Sequence, residues 1–246
     1  MTALGALTER ALLAAARDGG LMFEIFSPVG YLVGFSLALR GLVDTGHISY
    51  SQYLVPAVAI QAVVLVAMLT ADRAARDHLH GLGERLRTLP IAAAVPVSAR
   101  IVATLVRAAL ALAVAIAAGY VSGFRITGGL AYALAFVAIA LLLGLAVALG
   151  ADALGSSTSS PQGTSHVLFV PQLLLFMLST GIAPESTFPE WLRPYVRNQP
   201  LSLVAETLRD LGSGHVALGN LAATLAWCVG MVLVFGAITL RLQRRA

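Results

Sequence analysis

Six stretches of this chain, 25–43, 53–71, 101–121, 130–151, 167–182 and 216–240, are long, apolar and almost free of charge. A helix needs about 20 mostly apolar residues to cross a bilayer. Of 16 basic and 12 acidic residues in the chain, only Arg40 and Arg107 fall inside these stretches. That segregation is too strong for the core helices of a soluble bundle, so the stretches read as membrane spans. Composition agrees: 58% of the chain is hydrophobic, 11% is charged, and mean hydropathy is +0.85, where a soluble domain carries about 25% charged residues. A soluble enzyme, a secreted disulfide scaffold and a disordered chain are excluded. The fold class is therefore an all-α membrane protein with six transmembrane helices in a single domain, residues 1–246. The fifth stretch is short. Gly181, Pro184 and Pro189 crowd its far end, which predicts a broken, partly inserted segment rather than a plain loop.

An even number of spans puts both ends on one side. With both termini cytoplasmic, Arg10, Arg17, Arg73, Arg76, Arg85, Arg87, Arg100, Arg241, Arg244 and Arg245 lie inside and five arginines outside. The excess of cytoplasmic arginine supports that orientation in a cytoplasmic (inner) membrane. The formal charge of +4 is thus a topology signal, and nucleic acid is not an expected partner. Every basic residue is Arg and none is Lys, a bias that suits high-GC coding in a bacterium. Residues 1–24 lack the basic, apolar and small-residue order of a cleavable signal. Leu4, Leu7, Ala11, Ala14 and Ala15 recur there at helical spacing among charged residues, which predicts an amphipathic helix on the membrane surface before Gly19-Gly20 turns the chain into the first span.

The familiar catalytic signatures are missing from the sequence. There is no GxxxxGK[ST] to cradle ATP, no HExxH, and His47, His78, His80, His166 and His215 are scattered. No metal and no cofactor is expected on this chain. Cys228 is the only cysteine, which leaves no disulfide framework; a buried, inert thiol is expected. The serines after Gly155 show no sign of a held base or oxyanion hole, so a protease is not expected. Neither span arginine has an acid one or two turns away in its own span, and no acid falls inside any stretch. A proton-coupled carrier would lack its usual carboxylate. Gly30-xxx-Gly34 and Gly119-xxx-Gly123 have the spacing that lets helices approach closely, and packing within the chain is expected of both.

Two segments are not explained by membrane insertion. The inner stretch 72–100 sets Leu79, Leu82, Leu86 and Leu89 at helical spacing among charges and ends in Leu89-Pro90. An apolar stripe of that kind suits docking to a soluble partner. The outer stretch 181–211 holds Pro184, Pro189, Trp191, Leu192, Tyr195, Gln199, Pro200 and Arg209. Aromatic residues suit the headgroup layer and the prolines break any single helix, which predicts two short interfacial helices capping the bundle.

At these segments the sequence resembles the ABC-2 type permeases, the membrane subunits of ABC exporters, and most of all their daunorubicin-resistance branch. The inner pattern is carried by Gly81, Glu84, Arg85, Arg87, Leu89, Pro90 and Ile91, with Arg100 opening the third span; the outer one by Pro184, Pro189, Trp191, Leu192, Gln199, Pro200, Ser202 and Arg209. Ala92-Ala93-Ala94 departs from the family pattern. The resemblance implies a permease that moves a hydrophobic or amphipathic cargo (drug, polyketide or lipid) outward and is not itself an enzyme. ATP and Mg would sit on a separate ABC ATPase dimer, joined by a second permease copy or a paralogue in the lipid bilayer. It also implies that the N-terminal elbow helix and Leu79, Leu82, Glu84, Arg85, Leu86, Arg87 and Pro90 couple to that ATPase, while the outer residues form the gate. A membrane-embedded lipid-modifying enzyme or a secondary carrier is the alternative.

Overall fold

The computed structural model describes residues 3–39, 49–79, 81, 92, 95–158 and 161–245. Among them every regular element is helical: α1 (Ala3–Arg17), α2 (Gly20–Leu39), α3 (Tyr50–Leu79), α4 (Val95–Val121), α5 (Leu130–Ser156), α6 (Pro161–Met177), a single 3-10 turn (Glu185–Thr187), α7 (Arg193–Asn198), α8 (Pro200–Gly212) and α9 (Leu218–Arg245). Five are long and apolar enough to cross a membrane: α2, α3, α4, α5 and α9. Their apolar runs are those read from the sequence, but the helices extend beyond them. α2 begins at Gly20 rather than at Ile25, and α5 continues past Ala151 to Ser156. Both extensions bring an acid into a helix that the sequence reading had left outside.

The stretch 167–182 is shorter than expected. Its helix ends at Met177, and its apolar part is Val167–Met177. At 1.5 Å per residue that part is about 16 Å long, roughly half the hydrocarbon thickness. Ser179, Thr180 and Gly181 follow in turns, where Thr180 and the Ser179 hydroxyl bond to α8 and the Gly181 N–H to Ser179.

α3 is the axis of the bundle. It packs against α2, α4, α5, α6 and α8, and from Tyr53 to Met68 every residue is buried. A helix apolar on all sides has to be enclosed by protein or lipid; here protein encloses it. Small residues set the spacing. A Cβ on Gly155 would stand 2.2 Å from the Ala71 carbonyl oxygen, and one on Gly119 would stand 2.8 Å from Val55, so α5 and α4 press on α3 where only glycine fits. Gly119 thus packs as expected. Gly30 and Gly34 do not: a Cβ on either would meet nothing within 4 Å, because that face of α2 points away from the chain. α9 packs on α5 and α8 and turns Trp227, Leu233 and Val234 outward. α1 lies against α4 and α2, with Leu4 and Leu13 exposed. Cys228 is fully buried.

Candidate coupling and gating sites

The end of the bundle that carries α1 is held by buried ion pairs. Glu24, in the second turn of α2, has no exposed surface. Its Oε1 accepts hydrogen bonds from Arg73 Nη1 at 3.2 Å and Nη2 at 3.1 Å on α3, and from Arg107 Nη1 on α4. Arg107 also donates through Nη2 to the Thr104 hydroxyl at 3.2 Å, which pairs with the Thr70 hydroxyl at 2.8 Å. Two turns before Arg107 on α4, Arg100 clasps the buried Asp152 of α5 in two bonds, Nε to Oδ1 at 2.7 Å and Nη2 to Oδ2 at 3.2 Å. Arg100 also reaches Asp77 of α3 at 3.6 Å. Four helices meet in these pairs. Charges this deep are tolerated only when paired, and a two-pronged guanidinium–carboxylate contact is the strongest form of pairing.

This corrects the sequence reading, which found no buried acid and no partner for Arg107. The partner comes from another helix, 83 positions away. Glu24 lies just before the predicted first span, and Asp152 just after the predicted fourth. A charge abutting an apolar run can belong to the same helix, and that was the available signal.

In the middle of the bundle Gln172 of α6 donates to Gln61 of α3 at 2.8 Å, both side chains buried. The opposite end is closed by α8. Pro200 opens this helix at its first turn, where a missing N–H costs nothing. Leu201, Val204, Ala205, Leu208 and Leu211 form its buried face. The turn after α6 is stitched to it: the Thr180 N–H donates to the Ser202 hydroxyl at 3.0 Å, and the Thr180 hydroxyl to Glu206 at 3.1 Å. The Thr180 carbonyl accepts from the Tyr53 hydroxyl and, at 3.1 Å, from Arg209 Nη2. The Arg209 guanidinium lies 3.9 Å from the centre of the Tyr53 ring, close enough for cation–π attraction. Gln199 donates to the Leu178 carbonyl and to Ser202. Burial raises the Glu206 carboxyl above its ordinary range, opposed by the Thr180 hydroxyl and by Arg209; burial lowers Arg209, opposed by Tyr53 and Glu206.

Of the outer residues singled out from the sequence, Gln199, Pro200 and Arg209 thus meet in one cap. Pro184 precedes the 3-10 turn, Leu192 precedes α7, and Pro189 and Trp191 lie exposed between them, Trp191 at 79%. Tyr53, Thr180 and Glu206 were missed; their polarity alone did not distinguish them from span-end residues. Of the inner residues, Leu79 is the exposed last residue of α3, and Gly81 follows in a left-handed turn at φ +64. Leu82, Glu84, Arg85, Leu86, Arg87 and Pro90 lie outside the described residues.

The sequence profile of the family described as ABC-2 type transporter matches residues 2–211, from α1 through the end of α8. This chain belongs to that family. Among its relatives is the doxorubicin resistance ABC transporter permease protein DrrB of Mycobacterium tuberculosis, 31% identical over 93% of this chain and 84% of the relative. A daunorubicin resistance ABC transporter permease of Streptomyces coeruleorubidus is 30% identical over 89% and 78%. A probable doxorubicin resistance permease, DrrC of Mycobacterium tuberculosis, is 28% identical over 92% and 83%. As an ABC-2 permease the chain is a membrane subunit that works with a separate ATPase and is not itself an enzyme.

Proposed function

We propose that this ABC-2 permease exports hydrophobic or amphipathic compounds, drugs of the anthracycline kind among them. The observation that carries this is its similarity, over nearly its full length, to permeases named for doxorubicin and daunorubicin resistance. ATP and Mg belong to a dimeric ATPase partner, and a second permease completes the transporter, either another copy or a paralogue. The chain acts as one membrane domain that crosses six times. α6 makes the fifth crossing together with the turn that runs on to Ile182, α7 and α8 are the short outer helices between the fifth and sixth crossings, and both termini face the cytoplasm. α1 is the elbow helix on the inner surface of the cytoplasmic membrane.

In this reading Leu79, Leu82, Glu84, Arg85, Leu86, Arg87 and Pro90 receive the movement of the ATPase. The Glu24–Arg73–Arg107 and Arg100–Asp152 pairs pass it rigidly to α2, α4 and α5, because breaking a buried pair is costly. The α8 cap, with Pro184, Pro189, Trp191, Leu192, Gln199, Pro200 and Arg209, closes the outer side. A proton-coupled carrier is the less fitting reading even though buried acids exist, since Glu24 and Asp152 already spend their charge on arginine. Glu84→Ala and Leu86→Asp test the coupling surface. Membrane insertion should persist while ATPase pull-down and drug efflux fall together; normal pull-down and efflux in both variants would move the contact to α1.

A further inference from the structure

A cavity of about 210 Å³ lies between α1 and the facing turns of α3 and α4. Five arginines line it: Arg10 from α1, Arg73 and Arg76 from α3, and Arg100 and Arg107 from α4. Their carboxylate partners are unevenly shared. Arg100 has both Asp152 and Asp77, but Arg73 and Arg107 share the single Oε1 of Glu24. Across the wall the guanidiniums of Arg73, Arg100 and Arg107 are balanced by the carboxylates of Glu24, Asp77 and Asp152, with Arg107 only 2% exposed. The buried Nε of Arg73 has no acceptor among the described residues. Arg10 and Arg76 add exposed positive charge around the opening, offset only in part by Asp18 in the lining. Excess cation beside a low-dielectric wall favours a bound anion.

The remainder of the lining indicates which anion. Leu7, Ala11, Ala14, Pro96, Ala99 and Ala103 make an apolar shoulder. Leu4 and Leu13 of α1 are exposed outside the cavity. A free phosphate has no use for an apolar shoulder; a phosphodiester that continues into glycerol and acyl chains does. We infer that this cavity seats the headgroup of one anionic phospholipid, its phosphate among Arg10, Arg73 and Arg76 and its glycerol along the alanines of α1 and α4. Basic pockets between helices at a membrane face recognise such headgroups. The bound lipid would fasten α1 to the bundle. The inference rests on α1 lying at the bilayer surface, but its test reads lipid mass and not transport, so its failure would leave the exporter reading untouched.

The test is native mass spectrometry of the full chain in detergent, titrated with phosphatidylglycerol or with phosphatidylcholine of the same acyl chains. The wild-type chain should retain one phosphatidylglycerol with about tenfold preference over phosphatidylcholine. Arg10→Gln/Arg76→Gln should lower that retention about tenfold. Ala11→Trp, which fills the cavity and leaves every charge in place, should do the same. Arg125→Gln, exposed at the opposite end, should bind as the wild type does. Equal retention by Ala11→Trp and the wild type would overturn the inference. So would an equal loss in Arg125→Gln, which marks unspecific attraction, or displacement of the lipid by inorganic phosphate at matched concentration, which assigns the cavity to a free anion.

Discussion

Arg107 and Glu24 show how a charge survives inside an apolar bundle: each is buried, and each is held by the other. Removing one partner strands the rest. Glu24→Ala would leave two guanidiniums on α3 and α4 without their shared acceptor, so it should cost about 3–5 kcal/mol. Thermal unfolding in detergent measures it, and a loss below about 1 kcal/mol would show the triad to be loosely solvated. Gly155 makes a steric claim of the same kind. A methyl group there meets a backbone oxygen at 2.2 Å, which no rotamer relieves, so Gly155→Ala should destabilise by about 1–3 kcal/mol by forcing α5 off α3. Gly30→Ala, with open space around it, is the matched control and should change little by the same measure.

α8 joins the break after α6 to the rest of the bundle, and its pH response follows from Glu206. Burial holds the Glu206 carboxyl above its ordinary range, so the folded chain binds this proton more readily than the unfolded one. The Glu206 contribution to stability is then fully favourable at low pH and is lost as pH rises from the unfolded carboxyl value of about 4.3 through the folded one. Glu206→Gln removes that dependence. Across this acid window the wild-type chain should lose stability with rising pH relative to Glu206→Gln; parallel melting curves at every pH would contradict the burial of this group. The five long helices were legible because about 20 apolar residues in a row have few other outcomes. Their ends were not, since a charge beside an apolar run reads as a boundary until its partner on another helix is known; Glu24 and Asp152 both hid in that way. α6 was overdrawn for the opposite reason. Ser179, Thr180 and Gly181 do not lower hydropathy enough to end a span on paper, yet Thr180 bonds to Ser202 and Glu206 of α8 once the helix has ended. Hydropathy also gave α3 and α9 similar standing, although one is the enclosed axis and the other faces outward.

The assembled molecule has a topology that can be read from both sides of a membrane. In a Cys228→Ser background, a cysteine at Ser186 should react with an impermeant maleimide applied to intact cells, and one at Arg241 only after lysis. Labelling at Arg241 in intact cells would reverse the orientation that places α1 beside the ATPase. The α1 end carries the buried ion pairs and the α8 end the cap, with α3 running between them. The most direct measurement is anthracycline uptake into inverted vesicles that contain this chain with its cognate ABC ATPase, set beside vesicles lacking either subunit. ATP-dependent accumulation should require both, and should vanish when the ATPase cannot hydrolyse ATP. Uptake by this chain alone, driven by a proton gradient and indifferent to ATP, would contradict the account.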